Sequence, residues 1–209
     1  MKLCVFDFDS TLMDGETIDE IAAACGKKEE VSRITRQAMA GELDFYESLT
    51  RRVALLKGLY YPDVLDICQQ LPLMNGAKET IAELKKHGYK VIIFSGGFHE
   101  ATYYFKDQLG YDAEFANNLH HKGQVLSGCV GGEMMFNDSK GVMLKRMQGL
   151  LQVSEADTLV VGDGANDLSM FAHAGTRVAF CAKPVLQKAA NVIVSEKDLR
   201  LLLDQIELS

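Results

Sequence analysis

Residues 75–94 read NGAKETIAELKKHGYKVIIF, and the reading of this stretch decides the fold. Ala77, Ile81 and Leu84 recur at helical spacing until Gly88 stops the pattern, and Tyr89 to Phe94 then run on almost wholly apolar. A helix feeding a strand that is apolar on both faces is one unit of a covered parallel sheet. Similar units follow. FHEATYYFKDQLG (98–110) predicts a helix closed by Gly110, KGVMLKRMQGLL (140–151) another, then strand TLVVG (158–162) and helix DLSMFAHAG (167–175). Strand RVAFC (177–181), a short helix opened by Pro184, strand NVIV (191–194) and a last helix after SEKD (195–198) complete the pattern. The expected fold is α/β, a doubly wound, mainly parallel, Rossmann-like sheet with helices on both faces. AEFANNLHHKGQVLSGCVGGE (113–133) breaks the rhythm, and its alternation and glycines predict a small β-hairpin excursion.

Working outward, residues 14–73 behave differently. ETIDEIAAACG, EEVSRITRQAMAG, DFYESLTRRVALLKG and PDVLDICQQL read as consecutive helices with no strand between them. The expected division is a core of 1–13 and 74–209 with an inserted helical cap at 14–73. In doubly wound sheets ligands bind outside the carboxyl ends of the strands, so a helical insert after the first strand is placed to act as a lid.

The chain has 209 residues, 47% hydrophobic, with a formal net charge of −7, which gives ample core and no basic footprint for nucleic acid or an anionic membrane. Five scattered cysteines, never in CxxC spacing, read as reduced thiols and imply no zinc site. The opening apolar stretch is too short for a signal-peptide core and no later run could span a bilayer, so a cytoplasmic protein is expected.

KLCVFDFDSTL (2–12) is an apolar run ending in two acids, which must face water, a cation or a ligand. On a strand, Asp7 and Asp9 point to the same side about 7 Å apart. At the other strand ends lie Ser95-Gly96-Gly97 and GDGAND (162–167), with Lys140 opening the helix before the latter strand. Asp7, Asp9 and Asp163 cannot all stay ionised at close quarters without a cation, and hard oxygen ligands favour Mg²⁺. A hydroxyl with unobstructed backbone N–H groups at Ser95-Gly96-Gly97 is an anion site. Lys140 in a first helical turn opposes the dipole unless an acid or bound anion offsets it. Alone, Ser95 reads as a helix cap and Lys140 as a solvated lysine; at successive strand ends they read jointly as a phosphate site.

DFDST, SGG, Lys140 and GDGAND resemble, in order and spacing, the four motifs of haloacid-dehalogenase-type phosphohydrolases. With ETIDEI, AMAGELDF and SLTRRVALLKG, the chain is similar over nearly its whole length to the phosphoserine phosphatase branch of that family. The resemblance implies Asp7 as nucleophile and Asp9 as acid and base. It implies Mg²⁺ held by the Asp7 carboxylate, the Asp9 backbone carbonyl and Asp163. Ser95, the Gly96 N–H and Lys140 would bind the phosphate, Asp167 would steer Lys140, and Asn166 would contact substrate. The implied substrate is the small molecule phosphoserine, the implied pathway serine biosynthesis, and the implied assembly a monomer or homodimer.

Arg52 shares a helical face with Phe45, Leu49 and Leu56, and fits equally a snorkelling residue and a ligand of a substrate carboxylate. Glu16 lies opposite the Ile18, Ile21 and Cys25 face and reads as a solvated first-turn acid; only the resemblance makes it the partner of a substrate ammonium. Met39 and Phe45 are pocket or plain core, and His120 and His121 are surface residues. Two rival readings remain: a phosphotransferase that delivers the group to an alcohol, and a phospho-accepting receiver domain, which would have neither the helical insert nor an acid placed like Asp9.

Overall fold

The computed structural model describes residues 1–39 and 42–208; Ala40, Gly41, Ser209 and the Met39 side chain lie outside the described residues. Seven strands form one sheet in the order β4-β3-β2-β1-β5-β6-β7. They are β1 (Lys2–Phe6), β2 (Tyr89–Phe98), β3 (Ala113–Lys122), β4 (Val125–Gly132), β5 (Thr158–Gly162), β6 (Thr176–Phe180) and β7 (Val192–Val194). All neighbours are parallel except β3 and β4. The helices are α1 (Thr17–Ala24), α2 (Lys28–Met39), α3 (Phe45–Ala54), α4 (Tyr61–Gln69), α5 (Ala77–Lys86), α6 (His99–Leu109), α7 (Ser139–Leu151), α8 (Leu168–Phe171) and α9 (Pro184–Gln187).

The central strands β1 and β5 are almost wholly buried because both faces are covered. On β1, Cys4 and Phe6 enter a core shared with α5 and α6, while Leu3 and Val5 enter a second core with Met143, Leu144 and Phe171. The order of the central strands puts the carboxyl ends of β1, β2 and β5 side by side, and the functional loops follow those ends.

The chain leaves and re-enters this core through two adjacent segments. Asp14 N–H donates to the Pro72 carbonyl at 2.8 Å and Met74 N–H to the Leu12 carbonyl at 2.8 Å. Helices α1 to α4 lie between these crossings. No helix among the described residues is long and apolar enough to cross a membrane.

The hairpin forms as expected, β3 antiparallel to β4, and because β3 also pairs parallel to β2 it extends the main sheet to its edge. Two expectations need correction. The segment after SEKD forms a 3₁₀ turn at Leu199–Leu202 instead of a longer helix, opened by Asp198, whose side chain accepts from Arg200 N–H. Asp7 and Asp9 lie beyond β1, which ends at Phe6, so strand alternation does not set their direction. The residue between them does: Phe8 is fully buried, its ring 6.0 Å from that of Phe105, and anchoring it in the core leaves both acids on the cleft.

Candidate active site

The loops after β1 and β5 and the carboxyl end of β2, which includes Ser95-Gly96-Gly97, together with α1, α2 and α3, enclose a cavity of about 520 Å³. Asp7, Asp9, Asp163, Asn166, Gly96 and Gly97 line its floor side, and Glu16, Ile18, Phe45 and Arg52 line the side formed by the helices.

Lys140, in the first turn of α7, is 3% exposed and reaches under the floor. Its Nζ lies 2.8 Å from Asp7 Oδ1 and 2.6 Å from Asp167 Oδ1. Burial opposes its charge, but Asp167 and Asp7 outweigh that and hold its pKa above the ordinary lysine value. Here is the acid that offsets the unfavourable helix dipole. Asp167 is a brace: its second oxygen accepts the N–H groups of Asp163 and Gly164, both at 3.0 Å.

Asp7 Oδ1 also accepts the Phe8 N–H at 2.7 Å, whereas among the described residues its Oδ2 has only the Asn166 amide, at 3.5 Å. Burial, followed by the Asp167 charge, raises the Asp7 pKa well above the carboxylate range. Burial, then Asp167, likewise pushes Asp163 up to about 7. Carboxylate oxygens of Asp7, Asp163 and Asp167 lie within 4.8 Å of one another. Because both Asp167 oxygens are already engaged, Asp7 and Asp163 remain to receive a cation. Two carboxylates beside an open pocket suit a hard divalent cation that completes its shell with other oxygen ligands.

The Asp9 carboxylate stands apart from that cluster. Its Oδ1 accepts the Thr17 N–H at 2.9 Å and the Thr17 hydroxyl at 2.5 Å, from the first residue of α1. Its Oδ2 lies against Gly97, where any Cβ would overlap it, so only glycine fits there. Burial raises the Asp9 pKa, partly countered by the Thr17 bonds.

Ser95 is fully buried, and its Oγ accepts the Gly97 N–H at 2.9 Å; Phe98, not Ser95, caps α6. The turn is clamped from β3 by Asn117, whose amide donates to the Gly96 carbonyl at 3.1 Å and to the Met134 carbonyl at 3.2 Å. The Phe45 ring sits over Gly96.

Glu16 is not the solvated acid that its helical position suggested. It stands at the amino end of α1 without capping it and lines the pocket, its Oε1 accepts the Ser10 hydroxyl at 2.7 Å, and burial, then the Asp9 charge, pushes it up to about 7. Ser10 takes a left-handed backbone, φ 57°, which turns the chain back toward Glu16. Arg52 borders the same pocket, and among the described residues its guanidinium has no ion pair, only a 3.3 Å bond to the Ser48 carbonyl. Burial lowers its pKa, against the pull of Glu16, Asp19 and Asp9.

Sequence reasoning missed Thr17, Asn117 and Lys183. The first two work through hydrogen bonds that join segments distant in sequence, and a polar residue in an ordinary helix or strand carries no local signal of that. His120 and His121 are exposed, as expected, although the His121 ring stacks on Tyr61 with centroids 4.0 Å apart.

Against known families, residues 1–175 match the model of the haloacid dehalogenase-like hydrolases. The chain belongs to this family. Haloacid dehalogenase-like phosphatases use a divalent cation, in keeping with the acid cluster. Among individual members, the chain is 61% identical to a phosphoserine phosphatase of Wolinella succinogenes over 203 residues, covering 97% of this chain and 98% of that one. It is 47% identical to a phosphoserine phosphatase of Methanocaldococcus jannaschii over 206 residues, covering 99% and 98%. A solved structure described as a phospho-aspartyl intermediate analogue of phosphoserine phosphatase superposes with a TM-score of 0.94 at 47% identity, covering 99% of both chains. A substrate-bound phosphoserine phosphatase complex gives 0.94 at 46% identity, covering 99% of this chain and 98% of that one.

Proposed function

We propose that this haloacid dehalogenase-like hydrolase is a phosphoserine phosphatase, hydrolysing O-phospho-L-serine to L-serine and phosphate in the last step of serine biosynthesis. The observation that carries this reading is one pocket with Asp7, Asp9 and Asp163 at one end and the Glu16–Arg52 pair of opposite charges at the other. A substrate ammonium suits Glu16, a substrate carboxylate suits the bidentate fork of Arg52, and the phosphate is left for the floor. Residues 14–73 serve as the cap that closes over the ester. Near-complete coverage at high identity by phosphoserine phosphatases supports the same choice.

In this reading Asp7 Oδ2 attacks phosphorus in line and the bond from phosphorus to the serine oxygen breaks. The departing oxygen takes a proton from Asp9, whose burial keeps it protonated to higher pH than an ordinary aspartate. Water then attacks the aspartyl phosphate, Asp9 takes its proton, and the bond to Asp7 breaks. Lys140 holds the other Asp7 oxygen and aims Oδ2 at the phosphorus. The Ser95 hydroxyl, Gly96 N–H, Lys140 and the Asn166 amide meet the phosphoryl oxygens where transition-state charge is spread. Mg²⁺, held by Asp7 and Asp163 with the Asp9 carbonyl that the family resemblance implies, would orient the phosphoryl group and neutralise its charge. Retention by the floor of a receiver-like acid, lysine and hydroxyl set does not make a receiver domain, because Asp9 and the helical cap equip the site for repeated turnover.

Removing the cation at position 52 tests the substrate assignment. Arg52→Ala should raise KM for phosphoserine by roughly 10- to 100-fold, the loss of a charge-assisted pair, and change KM for a carboxylate-free phosphomonoester little. Equal increases for both esters would refute the assignment of Arg52 to the substrate carboxylate.

A further inference from the structure

Once the proposed reaction has used Arg52 and Lys140, one cation of the cleft is left without a task. Lys183 lies between β6 and α9, and its backbone N–H donates to the Asp163 carbonyl at 2.9 Å, which roots its side chain beside the loop carrying Asp163. Its Nζ stands 3.9 Å from Asp163 Oδ2, close enough for an ion pair and too far for a hydrogen bond. The lysine side chain is 48% exposed against 13% for the aspartate, so it reaches in from the rim. It borders the same pocket as Glu16, and its charge acts on that residue too. Lys140, by contrast, is committed to two carboxylates.

We propose that Lys183 is an electrostatic counterweight at the rim: it holds down the affinity of the Asp7 and Asp163 oxygens for a divalent cation while drawing in the anionic ester. This inference rests on the reading of those two oxygens as the cation site. A lysine that hydrogen-bonded Asp163 would orient it and strengthen metal binding. At 3.9 Å, Lys183 makes no such bond, and what remains is repulsion between its charge and a dication a few ångströms further on. In water at about 7 Å, that repulsion changes affinity roughly two- to sevenfold, the lower figure at physiological salt. The same positive charge favours a phosphate dianion approaching from solvent. Removing it therefore moves the two ligands in opposite directions, which the loss of a merely structural contact would not do.

The test titrates chelator-treated wild type, Lys183→Met and Lys183→Arg with Mn²⁺, following free Mn²⁺ by electron paramagnetic resonance without substrate, and measures inhibition by inorganic phosphate in parallel. Lys183→Met should bind Mn²⁺ roughly two- to sevenfold more tightly and be inhibited by phosphate several-fold less; Lys183→Arg should match wild type in both. Unchanged or weaker Mn²⁺ binding by Lys183→Met overturns the proposal. Asp163→Asn examines the site reading separately: it should lose Mn²⁺, and wild-type binding by that variant would overturn the site reading, and the proposal with it.

Discussion

Two carboxylates two residues apart are given different tasks by different partners. Asp7 is gripped at Oδ1 by Lys140 and the Phe8 N–H, and Asp9 at Oδ1 by Thr17. Each keeps its second oxygen toward the cleft. In the proposed reaction Thr17 matters because Asp9, as general acid, must aim its proton, and such catalysis contributes about 10²- to 10⁴-fold. Thr17→Val removes the hydroxyl donor and keeps the backbone one. It should lower kcat for phosphoserine, whose alkoxide is a poor leaving group, by roughly tenfold or more, and barely alter kcat for an aryl phosphate that departs unprotonated. Thr17→Ser should restore the rate. A uniform loss on both esters would mean that Thr17 supports only folding. At this scale the convergence of Asp7, Asp9 and Asp163 was legible because acids beside apolar strand ends have few bland explanations, whereas Ser95 and Lys140 read blandly alone and became legible only jointly with those acids. Glu16 was misread from periodicity because helical phase describes a helix's own faces, and the residue at the amino end of α1 is turned inward by Ser10.

Secondary elements carry the site by their ends. The amino end of α6 follows directly on the Ser95-Gly96-Gly97 turn, and His99 there sits between Glu114 on β3 and Glu133 beyond β4. The hydrogen bond to Glu114 raises the His99 pKa, with Glu133 adding to it. A raised folded pKa gives stability that is complete below the unfolded value near 6.5 and is lost as pH rises through the folded value. Wild type should therefore melt higher than His99→Gln at pH 5.5, with the gap narrowing above pH 8 as measured by thermal denaturation; a gap independent of pH would contradict the ion-pair account. The segment between α3 and α4 is tied to the β3–β4 hairpin by three backbone bonds: Gly58 N–H to the Leu126 carbonyl, Leu126 N–H to the Leu59 carbonyl, and Tyr61 N–H to the Gln124 carbonyl, at 2.8 to 3.0 Å. Tyr60 and Val125 thus face each other as a pair without mutual backbone bonds, the geometry that accepts a cross-strand disulfide. Tyr60→Cys with Val125→Cys should form that bridge, raise the melting temperature reversibly with reductant through a gain of about 2–4 kcal/mol, and leave turnover within about twofold, because Glu16 and Arg52 already face the pocket with this segment in place. Loss of turnover on oxidation would show that this part of the cap must detach in each cycle. The hairpin was foreseen as an element but not as the sheet's edge, since the pairing of β3 with Ile92–Phe94 of β2 joins segments that no local pattern links.

Across the whole molecule, sheet order does what no single element can. Placing β1 between β2 and β5 brings residues 7, 95 and 163 to one crevice, and the crossing strands at Leu12–Asp14 and Pro72–Met74 hang four helices over it. This was readable in advance because parallel units of helix and strand leave few topologies and fix which end of the sheet binds ligands. What stayed hidden was the division of polar contacts across that crevice: the engagement of both Asp167 oxygens, the Asn117 clamp and the approach of Lys183 are set by packing between segments, not by any local pattern. The central claim is that Asp7 receives the phosphoryl group. Rapid acid quench of the enzyme turning over phosphorus-32-labelled phosphoserine, followed by peptide mapping, tests it most directly. The account predicts label on the peptide containing Asp7 and none in Asp7→Asn, which should release no phosphate; label on another residue, or undiminished phosphate release by Asp7→Asn, would contradict it.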